Sequence, residues 1–319
     1  MTGASSAVSA APPLVIVAGA TATGKTELAI RLAEAVLAEG RSAAVISADS
    51  RQVFRGLDIG TAKVGAADRA RVPHFGLDLA DPDEPFSVAA FAAHTRSVLT
   101  DLADRDGVAI LAGGTGLYLR AIGRGLDTEA LPSNLVVRAR LEEALVADGL
   151  FASVERLERL APALAAGVDR RNPRRVVRAL EIAELRGDGP PPVALGYPGQ
   201  IAWLGLTVEP HVLARRIASR ARAQFDAGLI EEARALRERF DPGLPGFSAI
   251  GYREAWSVID GTLARDAAIE LAAQRTVAFA KRQRTWFRSE PDIIWLDATD
   301  EMPAATALAA TRALLGSVG

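Results

Sequence analysis

The sequence predicts an α/β protein: a phosphate-loop parallel-sheet core with helices on both faces and a helical insertion domain. Three observations predict it. Short apolar runs at 14–18 (LVIVA), 43–47 (AAVIS) and 108–112 (VAILA) alternate with helical periodicity, and strands buried on both faces read as such continuous runs. The first and third runs stop at glycine. From about Asn134 to Arg186 the pattern is helical and charge-rich, until 187–200 (GDGPPPVALGYPGQ) breaks it.

In chain order, residues 1–13 are small and polar without a basic start, and are expected to form a disordered tail rather than a signal peptide. The first strand leads through a loop into a helix from Lys25 to about Ala38, followed by the second strand at 43–47. The third, at 108–112, runs into Gly113-Gly114-Thr115-Gly116. Strand character returns at 201–208 (IAWLGLTV), and long helices follow, with a short strand near 293–296. Residues 14–126 and 196–319 are therefore expected to form one core around an insertion at 127–195.

The loop after the first strand carries chemistry. Gly19, Ala20, Thr21, Ala22, Thr23, Gly24, Lys25 and Thr26 fit G-x-x-x-x-G-K-S/T in full, between a strand and a helix as that motif requires. Glycines let backbone N–H groups close around phosphate oxygens, and the helix N-terminus adds positive potential. Lys25 supplies a cation, and the Thr26 hydroxyl is a candidate ligand for Mg²⁺. The motif alone does not name the phosphate compound. A phosphoryl-transfer enzyme of this class places an aspartate at the end of another core strand. Here the third strand ends in glycines, and the nearby acid is Asp49, after the second.

Composition narrows the chemistry further. Without cysteine there is no disulfide, thiol nucleophile or thiolate metal site. Three histidines, His74, His94 and His211, leave oxygen ligands and a hard cation as the metal expectation. A net charge of −2 announces no nucleic-acid binder, yet basic residues cluster locally. Arg170, Arg171, Arg174, Arg175 and Arg178 form one cluster, and Arg275, Lys281, Arg282, Arg284 and Arg288 a second, with Trp286 and Phe287 interleaved. Arginines at 171, 174, 175 and 178 share a helix face. Such groups pair with phosphates and stack on bases, while a solvated helix face and core aromatics are the plainer alternatives. No apolar run reaches the ~18–20 residues of a membrane span, so a cytoplasmic protein is expected, monomeric by default.

With these segments in hand, the chain resembles the tRNA dimethylallyltransferases from Val15 to about Leu296. The resemblance rests on residues 19–26 and on SADSRQVFRGLDIGTAK (47–63), DPDEPFSVAAF (81–91), GGTGLYL (113–119), NPRRVVRALE (172–181), AIGYREAW (249–256) and AKRQRTWFR (280–288). Ala20 stands where that family usually has proline, Thr23 where serine is common, and Phe54 where tyrosine is frequent. Only His74 remains of a usual histidine pair.

The resemblance implies transfer of a dimethylallyl group from its diphosphate to N6 of the adenosine just 3′ of a tRNA anticodon, with Mg²⁺ and release of pyrophosphate. Asp49 is then the candidate general base, and Lys25 and Thr115 the other candidate catalytic residues. A structural cap or Mg²⁺ partner is the alternative for Asp49, and a turn or N-cap threonine for Thr115. By position the resemblance places tRNA contacts on Asp49, Ser50, Arg51 and Gln52; Thr115; Arg138; Arg174, Arg175, Val176, Val177 and Arg178; Ser248, Ala249, Ile250, Gly251, Tyr252 and Arg253; and Lys281, Arg282, Gln283, Arg284, Thr285, Trp286, Phe287 and Arg288. The insertion is expected to meet the anticodon stem-loop, whose target base must be extruded to react. Asp58 and Thr61 read as structural. A small-molecule kinase, a prenyltransferase of free adenine nucleotides and a non-catalytic RNA-binding module are the rival readings.

Overall fold

A computed structural model describes residues 11–316 except Glu129 and Pro191. Residues 1–10 of the expected tail lie outside the described residues. Residues 11–13 are not a free tail: the Pro12 carbonyl accepts the Tyr197 hydroxyl at 2.6 Å and the Pro13 carbonyl accepts Ala109 N–H at 3.0 Å.

The elements run β1 (Leu14–Gly19), α1 (Lys25–Ala38), β2 (Ala43–Ser47), α2 (Ala66–Arg71), β3 (His74–Phe75), α3 (Val88–Ala103), β4 (Val108–Gly113) and α4 (Gly116–Gly123). There follow α5 (Leu135–Leu160), α6 (Pro162–Ala166) and α7 (Pro173–Arg186). The chain then continues through β5 (Ile201–Thr207), α8 (Pro210–Asp226), α9 (Leu229–Arg237), a 3₁₀ turn (Pro245–Ser248), α10 (Tyr252–Ile259), α11 (Arg265–Arg288), β6 (Ile293–Asp297) and α12 (Ala304–Gly316).

One six-stranded sheet has the order β3-β2-β4-β1-β5-β6, and every pairing is parallel. Strand β1 lies between β4 and β5 and is buried along its whole length. Leu14, Ile16 and Ala18 enter one apolar cluster while Val15 and Val17 enter another. Alternate residues thus face two helical layers, which is why β1 reads as an unbroken apolar run. The two-residue β3 carries too little pattern to be read from sequence.

The chain divides into two compact units, residues 1–125 with 196–319 and residues 126–195. In the second, Asn134 caps α5 by accepting the N–H groups of Val136 and Val137, and Asn172 caps α7 ahead of Pro173 by accepting Arg175 N–H. Such caps contribute about 1 kcal/mol each. Glu181 is the electrostatic centre of this unit, with a fully buried side chain. Its carboxylate accepts Asn134 N–H at 2.7 Å, Arg178 at 2.6 Å and Arg138 at 2.8 Å. Burial would raise its carboxyl pKa, but the Asn134 N–H and the two guanidinium groups prevail and hold it below the ordinary value.

Candidate active site

The parallel order brings the loops after β1, β2 and β4 together at the carboxyl edge of the sheet, where α/β proteins bind ligands. After β1 the chain turns into α1 with left-handed φ angles of 62° at Ala22 and 95° at Gly24. Alternating backbone handedness is the geometry of an anion-binding nest. No side chain caps α1, so its first N–H groups add positive potential at the same point. The Ala20 carbonyl accepts both the Thr23 hydroxyl at 2.8 Å and Lys25 Nζ at 2.6 Å. The Lys25 side chain is thus folded back over its own loop. Burial and then the nearby Arg220 lower its pKa to about 8, against a smaller opposing attraction from Asp49.

The loop after β2 crosses the end of β4. Ala48 N–H donates to the Ala112 carbonyl at 2.8 Å, and Thr115 N–H to the Ala48 carbonyl at 3.1 Å. Only glycine admits this crossing at 113, since a Cβ there would stand 2.1 Å from the Ala48 oxygen. Thr115 precedes α4 but makes no capping bond. Its hydroxyl oxygen instead accepts Ser50 N–H at 3.0 Å, tying the β4 loop to the β2 loop. Asp49 Oδ1 accepts Arg51 N–H at 2.8 Å, closing an Asx turn. Gln52 accepts the Ser47 hydroxyl at 2.7 Å and donates to the Thr61 carbonyl at 3.1 Å.

These loops enclose a pocket of about 80 Å³. Thr21, Lys25, Thr26, Asp49, Gln52 and Arg220 all line it. A larger groove of about 530 Å³ is lined by Gly19, Ala20 and Thr23 of the same loop but by neither Lys25, Thr26 nor Asp49. The smaller pocket therefore joins the phosphate loop to the carboxylate. Arg220, on α8, was not read from the sequence, where it is one of several helix arginines with no local signal. Burial works against its guanidinium charge and Asp49 supports it. Among the described residues no group of three or more His, Cys, Asp or Glu side chains could hold a metal. A cation here would draw on the exposed Thr26 hydroxyl, with Asp49 as the only carboxylate lining the pocket.

Several residues expected at an RNA surface are engaged elsewhere. Val176 and Val177 are buried among the apolar residues of their own unit. Arg138 and Arg178 neutralise Glu181, whereas Arg174 and Arg175 stay exposed. Tyr252 and Phe287 are core residues at 0% and 1% exposure. Gln283 latches two loops, accepting Thr21 N–H at 2.9 Å through Oε1 and donating to the Gly114 carbonyl at 2.9 Å. Trp286 is half-buried, with the Arg120 guanidinium 4.6 Å from its ring centroid. Ser248, Arg253, Lys281, Arg282, Thr285 and Arg288 are exposed.

Comparison with known proteins places this arrangement. The tRNA dimethylallyltransferase of Geobacillus kaustophilus is 40% identical over 297 residues, covering 91% of this chain and 92% of that protein. The crystal structure of the tRNA isopentenylpyrophosphate transferase of Bacillus halodurans matches with a TM-score of 0.69 at 35% identity, over 95% of this chain and 96% of that one. A eukaryotic dimethylallyltransferase acting on tRNA shares the fold at 24% identity, with a TM-score of 0.78 over 96% of this chain and 80% of that one. The family model for IPP transferase matches residues 52–290, a span that takes in Gln52, Thr115, Arg220 and Gln283, so the chain that builds this pocket belongs to the IPP transferase family.

Proposed function

We propose that this protein transfers a dimethylallyl group from dimethylallyl diphosphate to N6 of the adenosine just 3′ of a tRNA anticodon. The observation that carries the reading is the shared pocket of phosphate loop, Arg220 and Asp49. As the allylic C–O bond breaks, its electron pair and the growing charge go to pyrophosphate. The backbone N–H groups of residues 19–26, Lys25 and Arg220 stabilise that charge in place. The N6 lone pair forms the new C–N bond, and Asp49 accepts the N6 proton. Thr115 holds the Asp49 loop through Ser50. Thr26 would be the protein ligand of Mg²⁺, which when bound would supply further charge neutralisation at the diphosphate. Exposed Arg174, Arg175, Arg253, Lys281, Arg282 and Arg288 supply phosphate contacts for an anticodon stem-loop.

Radiolabelled dimethylallyl diphosphate offered with tRNA, with AMP or with no acceptor tests this reading. Label in tRNA is the expected result. Label in AMP alone, or nucleotide-dependent phosphorylation without any need for the prenyl donor, overturns it.

A further inference from the structure

Residues 58–62, in the later part of the loop between β2 and α2, carry none of the reacting groups, yet two pocket residues take their position from them. The Thr61 carbonyl accepts both Gln52 Nε2 at 3.1 Å and Arg220 Nη2 at 3.3 Å. The Ala62 carbonyl accepts Gln52 again at 3.3 Å. What fixes these carbonyls lies one step further out. Glu232, in the first turn of α9, accepts Ile59 N–H at 2.7 Å, Gly60 N–H at 3.1 Å and Asp58 N–H at 3.3 Å. On the loop's other side, Gln224 Nε2 donates to the carbonyls of Ile59 and Gly60 at 2.7 and 2.8 Å. Gln224 stands one helical turn beyond Arg220 on α8, so a single helix face both braces the loop and receives its support.

A fourth donor reaches the Glu232 carboxylate: the Tyr252 hydroxyl, at 2.7 Å. Tyr252 is fully buried, and its ring lies so close to Gly60 that a Cβ there would approach it to 2.5 Å. Burial and then the adjacent Glu232 keep the hydroxyl protonated, its pKa raised well above the ordinary value, so it remains a donor. Its chain neighbours Ser248 and Arg253 are exposed, in the segment proposed to meet RNA.

We infer that Glu232 is a positioning residue for the transfer reaction: it clamps the 58–62 loop so that the Thr61 carbonyl aims Arg220 at the diphosphate. The inference rests on the function proposed above. Three backbone N–H donors and a phenol converge on one carboxylate. The next two carbonyls along the loop are the ones that hold Gln52 and Arg220. A displacement near 1 Å at such a distance from the chemistry costs about 100-fold in rate.

The test is a double-mutant cycle between Glu232 and Arg220, read as pyrophosphate affinity by calorimetry and as kcat and KM with tRNA as acceptor. Glu232→Gln is expected to weaken pyrophosphate binding and raise KM for dimethylallyl diphosphate about tenfold, and to lower kcat, with KM for tRNA within twofold of wild type. Arg220→Lys gives a similar loss. The double variant is expected to match Arg220→Lys within threefold, because Glu232 acts through Arg220. Effects that multiply, or a Glu232→Gln defect confined to tRNA affinity, overturn the inference. If Glu232→Gln does not fold, Gln224→Met, which removes the donors on the loop's other side, goes through the same cycle with the same criteria. Pyrophosphate binding needs no acceptor. A wild-type protein that binds pyrophosphate but never labels tRNA refutes the proposed function and leaves the cycle readable. A wild-type protein that labels tRNA while the cycle multiplies refutes only the role of Glu232.

Discussion

Gly113→Ala isolates the placement of the proposed base from its chemistry. The change adds one methyl group at a residue whose backbone φ is outside the left-handed region, so its penalty is steric. The new Cβ would lie 2.1 Å from the Ala48 oxygen and 2.4 Å from its carbonyl carbon. Ordinary contact begins near 3.4 Å, so the Ala48 peptide must retreat by about 1.3 Å, the difference between the two distances. Asp49 is the next residue and moves with it, and the bond from Thr115 N–H to the Ala48 carbonyl is stretched. Displacement on that scale costs about 100-fold in rate, or about 2.7 kcal/mol of transition-state stabilisation. Overpacking costs about 1–3 kcal/mol of stability, so a folded variant with a lowered melting temperature is expected. Single-turnover transfer from labelled dimethylallyl diphosphate to tRNA measures the loss, and calorimetry with pyrophosphate should show affinity within about twofold of wild type. A folded Gly113→Ala protein with a single-turnover rate within threefold of wild type would refute the idea that this crossing sets the reactive geometry.

Three further outcomes are expected. Asp49→Asn should lower single-turnover transfer by about 10²–10⁴-fold with tRNA affinity nearly intact; normal turnover with weakened tRNA binding counts against the base. The Lys25 pKa is lowered from 10.5 to about 8, so the free protein loses this ammonium as pH rises through about 8. Pyrophosphate binding at pH 8 should therefore draw in a proton that calorimetry in buffers of different ionisation heat detects, and Lys25→Arg, which stays charged, should lack it; an unchanged uptake in that variant contradicts the assignment. Between pH 8 and 10.5 the unfolded chain binds more protons at Lys25, so without an anion this group adds to native stability as pH rises. Glu181→Ala removes the partner of two guanidinium groups that are about a third exposed, and should cost less than the roughly 3–5 kcal/mol of a fully buried pair, measured by urea titration. The depressed Glu181 pKa makes its stabilisation complete above the ordinary value of 4.5 and lost as pH falls through the lowered native value; acid stability identical in wild type and variant would contradict that sign.

What the sequence made legible was local. The loop at 19–26 is a contiguous string between a strand and a helix, and β1, β2 and β4 are apolar runs because both their faces are covered. Arg220 and Gln224 were not legible, because their role depends on the 58–62 loop, about 160 residues away in the chain, lying against α8. In the block at 174–178, helical periodicity turns Val176 and Val177 away from Arg174 and Arg175, so the valines are buried while these arginines stay exposed. Arg178 and Glu181 stand at i and i+3, a spacing that already hinted at pairing. Phe287 took the core rather than the base-stacking role, while Trp286 kept one side open beneath Arg120.

The central position of β1 has a consequence for synthesis. When β4 leaves the ribosome, β1 can pair on one side only, because its other neighbour is β5, about 90 residues later. At about 5–20 residues per second, that interval lasts on the order of 5–20 s. During it the strand that bears the phosphate loop is an open sheet edge, the kind of surface that invites wrong pairing. The Gln283 latch on Thr21 arrives later still, near the end of α11. A nascent chain therefore carries the loop at 19–26 early, while Arg220 and Gln283, which complete the lining of its pocket, are both present only when nearly all of the chain has been made.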